Sequence, residues 1–318
     1  MTHFDVFNGD ADGICALIQL RLSEPKESQL VTGVKRDTVL LKKLSLAPGD
    51  SVTVLDISLD KNLTEVEDAL KTGASIFYVD HHMARRIPEA PGLKTIIDTN
   101  ADVCTSILIN QFLNDKYIEW AVVGAFGDNL KNSARDLCNK TNLSESEIEL
   151  LEQLGIYINY NGYGSSLDDL HFTPSDLYLR LSPYKNPLTF IADARQDFEK
   201  LASGYNSDMA SAMAIPEAFS TDKVAVYILP NEAWARRVSG VYGNNLANQS
   251  PDRAHAVLTE KENGAYLVSI RAPLNNKTGA AEFCQQFPTG GGRAAAAGIN
   301  NLPAEQLTAF MDQFNNFY

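Results

Sequence analysis

Positive charge is what this chain has least of. Its 318 residues carry 27 Lys and Arg against 40 Asp and Glu, a formal net charge of −13. A field of that sign repels a long phosphate backbone, which disfavours long duplex nucleic acid as a partner and leaves room for a small anion held through cations. Long apolar runs are also missing: none reaches the roughly 18 residues that span a bilayer. The opening MTHFDVFNGDADG meets acidic residues at once, with no basic or apolar leader stretch. No membrane partner is expected, and the expected location is cytoplasmic. Cysteine is scarce. Cys15, Cys104, Cys138 and Cys284 lie far apart without a CxxC pair, which argues against structural zinc or a disulfide framework and for buried thiols. The remaining composition, 44% hydrophobic and 21% charged, is that of an ordered globular protein with length for two domains.

What is there reads as α/β. His3–Phe7, Ser51–Leu55 and Ala74–Val79 are short apolar strands, Thr95–Ile97 a fourth, and Ile14–Leu22 has helical spacing. Strand and helix alternating at this distance predict a parallel sheet, whose ligands sit beyond the carboxyl ends of its strands. From Cys104 to about Ala218 the pattern is helical: Thr105–Leu113, Trp120–Phe126, Ser144–Asn159, Pro174–Arg180 and Asp193–Ala214. A strand over Lys223–Leu229, a helix over Ala233–Ala247, a hairpin over Ala256–Glu260 and Tyr266–Arg271, and helices over Ala280–Phe287 and Ala304–Phe317 follow. The expected organisation is therefore a parallel-sheet catalytic domain with an additional helical region over 1–192, a helical connector over 193–220, and a smaller α+β domain over 221–318.

Aspartate ends three of the strands. Asp10-Ala11-Asp12-Gly13 places two carboxylates on a tight turn, Asp56 closes Val54-Leu55, and Asp80-His81-His82 follows Phe77-Tyr78-Val79. The last puts oxygen and imidazole donors together at the mouth of a sheet, a mixture suited to Mn²⁺ or a related ion. Asp128 ends an apolar helical stretch, where a carboxylate opposes the helix dipole. Each of these has a bland reading as a solvated turn. Lys35-Arg36 and Arg85-Arg86 read as surface charges, His3 as a strand-start or surface residue, and His171 and His255 have no role.

Taken together, D-x-D-G, a strand-end aspartate, D-H-H and G-x-x-x-D resemble the DHH phosphoesterases, a superfamily of RecJ-type exonucleases, nanoRNases, nucleotide phosphatases and pyrophosphatases. Ser269-Ile270-Arg271 and Gly290-Gly291-Gly292-Arg293 resemble the substrate-binding domain that accompanies them. The resemblance implies two divalent metal ions, Mn²⁺ before Mg²⁺. Asp10 and Asp12 would each face one ion, Asp56 would bridge them, and His81 and Asp128 would complete the shell. Asp80 is either a ligand or the partner that fixes the His81 ring, and His82 faces substrate. Arg271, Gly290, Gly291, Gly292 and Arg293 would bind substrate. Two positions depart from the pattern. Asn8-Gly9 stands where a histidine ligand is usual, which leaves one ion with a weaker shell, and Arg293 stands where the glycine motif commonly ends in histidine. Arginine binds phosphate but cannot act as an acid at neutral pH.

The implied reaction is two-metal hydrolysis of a phosphate ester in a short nucleotide: an oligoribonucleotide, a dinucleotide or a nucleoside 3′,5′-bisphosphate. The alternatives are an inorganic pyrophosphate or polyphosphate hydrolase and a nucleotide-binding regulatory protein that has lost catalysis. A homodimer is the candidate assembly.

Overall fold

The computed structural model describes all 318 residues, Met1–Tyr318, as two compact units, Met1–Ser203 and Gly204–Tyr318. In the first unit five strands, β1 (His3–Phe7), β2 (Gln29–Val31), β3 (Ser51–Leu55), β4 (Ser75–Asp80) and β5 (Leu93–Ile97), form a sheet in the order β2-β1-β3-β4-β5. Every pairing is parallel. Successive side chains leave opposite faces. Val6, Val54 and Tyr78 enter one apolar core with Leu59, Val66 and Ala69 of helix α2 (Leu59–Thr72). Phe7, Leu55 and Val79 enter the other, against α1 (Ala11–Ser23), α3 (Thr105–Phe112), α4 (Ile118–Gly127) and α6 (Glu145–Asn161). Fully burying side chains of this size contributes roughly 1.5–3 kcal/mol each, and that two-sided burial fixes the strand register.

Helix α4 is buried on all sides, which its nearly uninterrupted apolar sequence requires. Gly127 makes its close packing possible: a Cβ there would lie 2.3 Å from Ala11 Cβ. The contact brings the end of α4 to the start of α1. Helices α5 (Lys131–Cys138), α7 (Pro174–Leu181), α8 (Pro187–Asp193) and α9 (Arg195–Met213) complete the helical region, and the division between the units falls inside α9. No helix of the chain is long and apolar enough to cross a membrane.

The second unit has a six-stranded sheet, order β10-β11-β9-β8-β7-β6, formed by β6 (Glu217–Ser220), β7 (Val224–Leu229), β8 (Ala254–Glu260), β9 (Tyr266–Arg271), β10 (Gly290–Arg293) and β11 (Ala296–Leu302). Only β7 and β8 run parallel. Helices α11 (Ala280–Cys284) and α12 (Leu307–Phe317) pack on one face through Phe283, Phe310 and Phe314, and α10 (Ala233–Gln249) on the other through Val238, Tyr242 and Leu246.

Sequence periodicity finds the main elements but misses β2, α2, β6, α5, α8 and the hairpin of β10 and β11. Glycine and alanine in Gly290–Ala297 give no alternating pattern. They form strands because β9 offers an edge for β11 to pair with.

Candidate metal centre

The rows of the parallel sheet dictate the site. Phe7 pairs with Leu55 and Leu55 with Val79, so the chain leaves β1, β3 and β4 at one level. Asn8 N–H donates to Leu55 O at 3.2 Å and Asp56 N–H to Val79 O at 3.1 Å. Asp10, Asp56 and Asp80 therefore emerge side by side, 2%, 2% and 0% exposed. Asp56 adopts φ 58°, the left-handed region, where a non-glycine residue costs of order 1 kcal/mol or more. The strain is held by the strands on both sides of it.

Two helix N-termini hold carboxylates. Asp10 caps α1 by accepting from Gly13 N–H at 3.1 Å. Asp12 accepts from the Thr105 and Ser106 N–H groups at 2.7 Å each, at the start of α3. Both places favour negative charge. Asp128 closes α4, its N–H donating to Gly124 O at 2.9 Å.

His81 stands among three of these groups. Its Nε2 is 3.4 Å from Asp56 Oδ1, 3.8 Å from Asp128 Oδ2 and 3.9 Å from Asp12 Oδ2. These spacings are too long for good hydrogen bonds and suit atoms sharing one cation. Ligand-capable atoms of Asp12, His81 and Asp128 lie within 4.8 Å of one another, as do those of Asp56, His81 and His82. Asn8 Oδ1, Asp56 Oδ1 and Asp80 Oδ2 are buried with no hydrogen-bond partner. Of these, Asp56 Oδ1 lies beside His81 Nε2, and a bound cation there would remove its desolvation cost. The donor set of hard oxygens and imidazole therefore fits a divalent ion of the Mn²⁺ type.

The electrostatics agree. Burial, with the charges of Asp10, Asp12, Asp128 and Asp80, pushes the Asp56 carboxyl well above the usual range. Burial, then Asp12 and Asp10, raises Asp128 to about 7. Carboxylates this crowded resist ionisation unless cations join them.

Asp80 Oδ1 binds His82 Nδ1 at 2.7 Å. Of the two roles expected for Asp80, ligand or partner of the His81 ring, the second is corrected: the ring it fixes is His82. The hydrogen bond to Asp80 raises the His82 pKa, against the opposing effect of burial.

Sequence reasoning missed Lys35. Its Nζ lies 2.7 Å from Asp10 Oδ2 and 3.8 Å from Asp128 Oδ1, donates to Asn159 Oδ1 at 2.7 Å, and sits 5.6 Å from the Tyr163 ring centroid. Burial would lower the Lys35 pKa, but the Asp10 charge beside it raises it strongly. Conversely, burial would raise Asp10, but Lys35 outweighs it and holds that carboxyl below the usual range. The surface reading does fit Arg85, which faces Asp60 at 3.7 Å, and Arg86, which pairs with Glu67 at 2.8 Å. His3 follows the strand-start reading and not the surface one. It starts β1 but is buried, with its ring bonded to Ser51 Oγ at 2.7 Å and Asp5 Oδ1 at 3.1 Å beside Arg21.

In the second unit Arg271 and Arg293 share one row, Arg293 paired with Ala296 and Ala296 with Arg271. Directly opposed residues face the same side of a sheet, here the α10 side. There Arg271 donates to Asn244 Oδ1 at 2.6 Å and Gly240 O at 3.0 Å. Gly290 is required by the chain itself, since a Cβ would lie 1.7 Å from Cys284 O. Gly292 has φ 149°, and a Cβ there would lie 2.4 Å from Ala297 Cα. Gly291 has open space.

No protein family and no curated protein matches the chain by sequence. Solved structures do match by shape. A crystal structure of the exonuclease RecJ bound to manganese superposes with TM-score 0.65 at 16% identity, covering 99% of this chain and 89% of that one. RecJ from Thermus thermophilus in complex with Mn²⁺ gives TM-score 0.66 at 16% identity, covering 99% of this chain and 52% of that one. The chain thus shares the fold of RecJ.

Proposed function

We propose that this protein hydrolyses phosphate esters of short nucleotides with a divalent ion, Mn²⁺ before Mg²⁺. The observation that carries the reading is the convergence of Asp12, Asp56, His81 and Asp128 beyond the sheet, with Asp56 Oδ1 buried and unpaired. The manganese in the two RecJ structures supports the choice of metal.

Asp12, Asp56, His81 and Asp128 would hold the ion. When bound, it supplies Lewis-acid chemistry, lowering the pKa of water and offsetting charge on phosphoryl oxygens. The protein's own groups do the rest. The Thr105 and Ser106 amides keep Asp12 in place. Asp80 holds His82 by Nδ1, and the His82 side chain is 42% exposed, so its ring can meet a substrate and pass a proton to the leaving oxygen. Substrate choice is assigned to the second unit, where Arg271 and Arg293 share a sheet face and the space a Gly291 side chain would fill is open. The chain's net charge of −13 supports a short substrate over a long strand.

The test is a Mn²⁺ screen with a dinucleotide, an RNA of about 24 nucleotides, a nucleoside 3′,5′-bisphosphate, a cyclic dinucleotide and pyrophosphate side by side, under conditions where a metal enzyme turns over about once a second or faster. Hydrolysis of the short nucleotides that vanishes with chelator is the expected result. Activity undiminished in chelator, or confined to pyrophosphate, would overturn the reading.

A further inference from the structure

We infer that Lys35 is a built-in cation occupying one of the two metal positions, so that the chain holds a single divalent ion. The inference rests on the metal-dependent reading above and concerns how many ions that reading needs.

The geometry around Asp10 leads to it. One oxygen of Asp10 accepts from Gly13 N–H at 3.1 Å and the other faces the Lys35 ammonium at 2.7 Å. The second oxygen therefore already faces a cation, which no oxygen of Asp12 does. Neither set of clustered ligand atoms, Asp12 with His81 and Asp128 or Asp56 with His81 and His82, includes Asp10. The nearby side chain that would have to complete a second shell is Asn8, a neutral amide whose Oδ1 is buried and unpaired. An amide oxygen is a weaker donor to a transition metal than imidazole.

The lysine is placed there by backbone packing. Its N–H donates to Gly162 O at 2.9 Å. A Cβ on Gly9 would lie 2.0 Å from Gly33 O, so the turn that carries Asp10 and the loop that carries Lys35 touch main chain to main chain. Asn159, near the end of α6, takes a second ammonium proton at 2.7 Å. Tyr163 offers its ring 5.6 Å away, within range of a cation–π attraction. An ammonium has three protons to place, and here two oxygens and a ring surround it.

The consequence is electrostatic. A fixed positive charge 2.7 Å from Asp10 and 3.8 Å from Asp128 repels a second divalent ion from the same place, because like charges a few Å apart interact strongly at low dielectric. Lys35 supplies part of what that ion would supply: it neutralises Asp10 and keeps positive potential beside the reacting phosphate. The remaining ion belongs to Asp12, Asp56, His81 and Asp128.

Metal stoichiometry tests this without reference to turnover. The metal-free chain is titrated with Mn²⁺ by calorimetry, and the loaded protein is read by electron paramagnetic resonance. The wild type should take up one ion per chain and give the hyperfine pattern of an isolated Mn²⁺. Lys35→Met combined with Asn8→Asp, which removes the ammonium and adds a carboxylate, should take up two ions and give the pattern of an exchange-coupled pair. Two ions in the wild type would overturn the inference and leave the metal-dependent reading standing. One ion in both proteins would also overturn it, because Lys35 then blocks nothing. No bound ion in either would overturn the metal reading itself. Should the double variant fail to fold, the wild-type count decides alone.

Discussion

Asp80 and His82 form a pair that runs from the interior to the surface: the carboxylate is fully buried, the imidazole side chain is 42% exposed, and 2.7 Å separates Oδ1 from Nδ1. Asp80 lies at the end of β4, so the sheet fixes the carboxylate and the carboxylate fixes the ring. His81, one residue earlier, turns toward Asp56, Asp128 and Asp12 instead.

This division of labour predicts different losses for the two histidines. His81→Ala should lose metal affinity together with activity. His82→Ala should keep its metal and lower kcat by roughly 10²-fold or more, the scale of a missing proton donor. Asp80→Asn should resemble His82→Ala and shift the alkaline limb of the pH profile downward, since a proton donor is lost above its pKa and the substitution removes the bond that raises the His82 pKa. Metal analysis beside kinetics separates the outcomes, and equal metal loss in both histidine variants would reverse the assignments.

Asp56 should show function opposing stability. Asp56→Ala should cost roughly 10³-fold in activity, the scale for a group that stabilises developing charge. Asp56→Asn tolerates the same φ of 58° but carries no charge among Asp10, Asp12, Asp80 and Asp128. In chelator it should be more stable than wild type by about 1 kcal/mol, measured by denaturant unfolding, while failing to bind Mn²⁺.

Asp128 makes the metal-free protein sensitive to pH. Its folded pKa, about 7, lies above the ordinary aspartate value of 3.8, so the folded state holds its proton more tightly than the unfolded chain. The stability from that proton is fully present below the unfolded value and is lost as pH rises through about 7. In chelator, Tm should fall between about pH 4 and about pH 7, and Asp128→Asn should flatten much of the slope. A Tm that rises over this interval in the wild type would contradict the crowded-carboxylate description.

The second unit yields a contrast between neighbouring glycines and arginine. Gly290→Ala should destabilise the protein by about 1–3 kcal/mol, because its Cβ meets Cys284 O, whereas Gly291→Ala should fold normally. Arg293→Ala should raise KM for dinucleotides by roughly tenfold or more, the scale of a charge-assisted hydrogen bond, and leave bis-p-nitrophenyl phosphate nearly unaffected. Arg293→Lys should recover part, since lysine lacks the planar fork. Equal losses on both substrates would assign Arg293 to the fold.

Local pattern determined a good deal about this protein. Apolar strands that end in Asp56 and Asp80, an acidic turn at Asp10 and Asp12, and an apolar helix closed by Asp128 are each legible within a few residues. Parallel strands in register must then bring their carboxyl ends together. What the sequence could not decide is how those side chains divide the work. That Asp80 holds His82 and not His81 depends on the turn after β4. That Gly290 and Gly292 serve the chain's own packing depends on where Cys284 and Ala297 lie. Above all, Lys35 looks like any solvated lysine beside Arg36, because nothing near it in sequence marks a partner. Its place beside Asp10 and Asn159 comes from three segments distant along the chain whose backbones touch at Gly9, Gly33 and Gly162. Charge pairing across such distances leaves no periodicity to read; only the folded packing of the loop against the turn creates it.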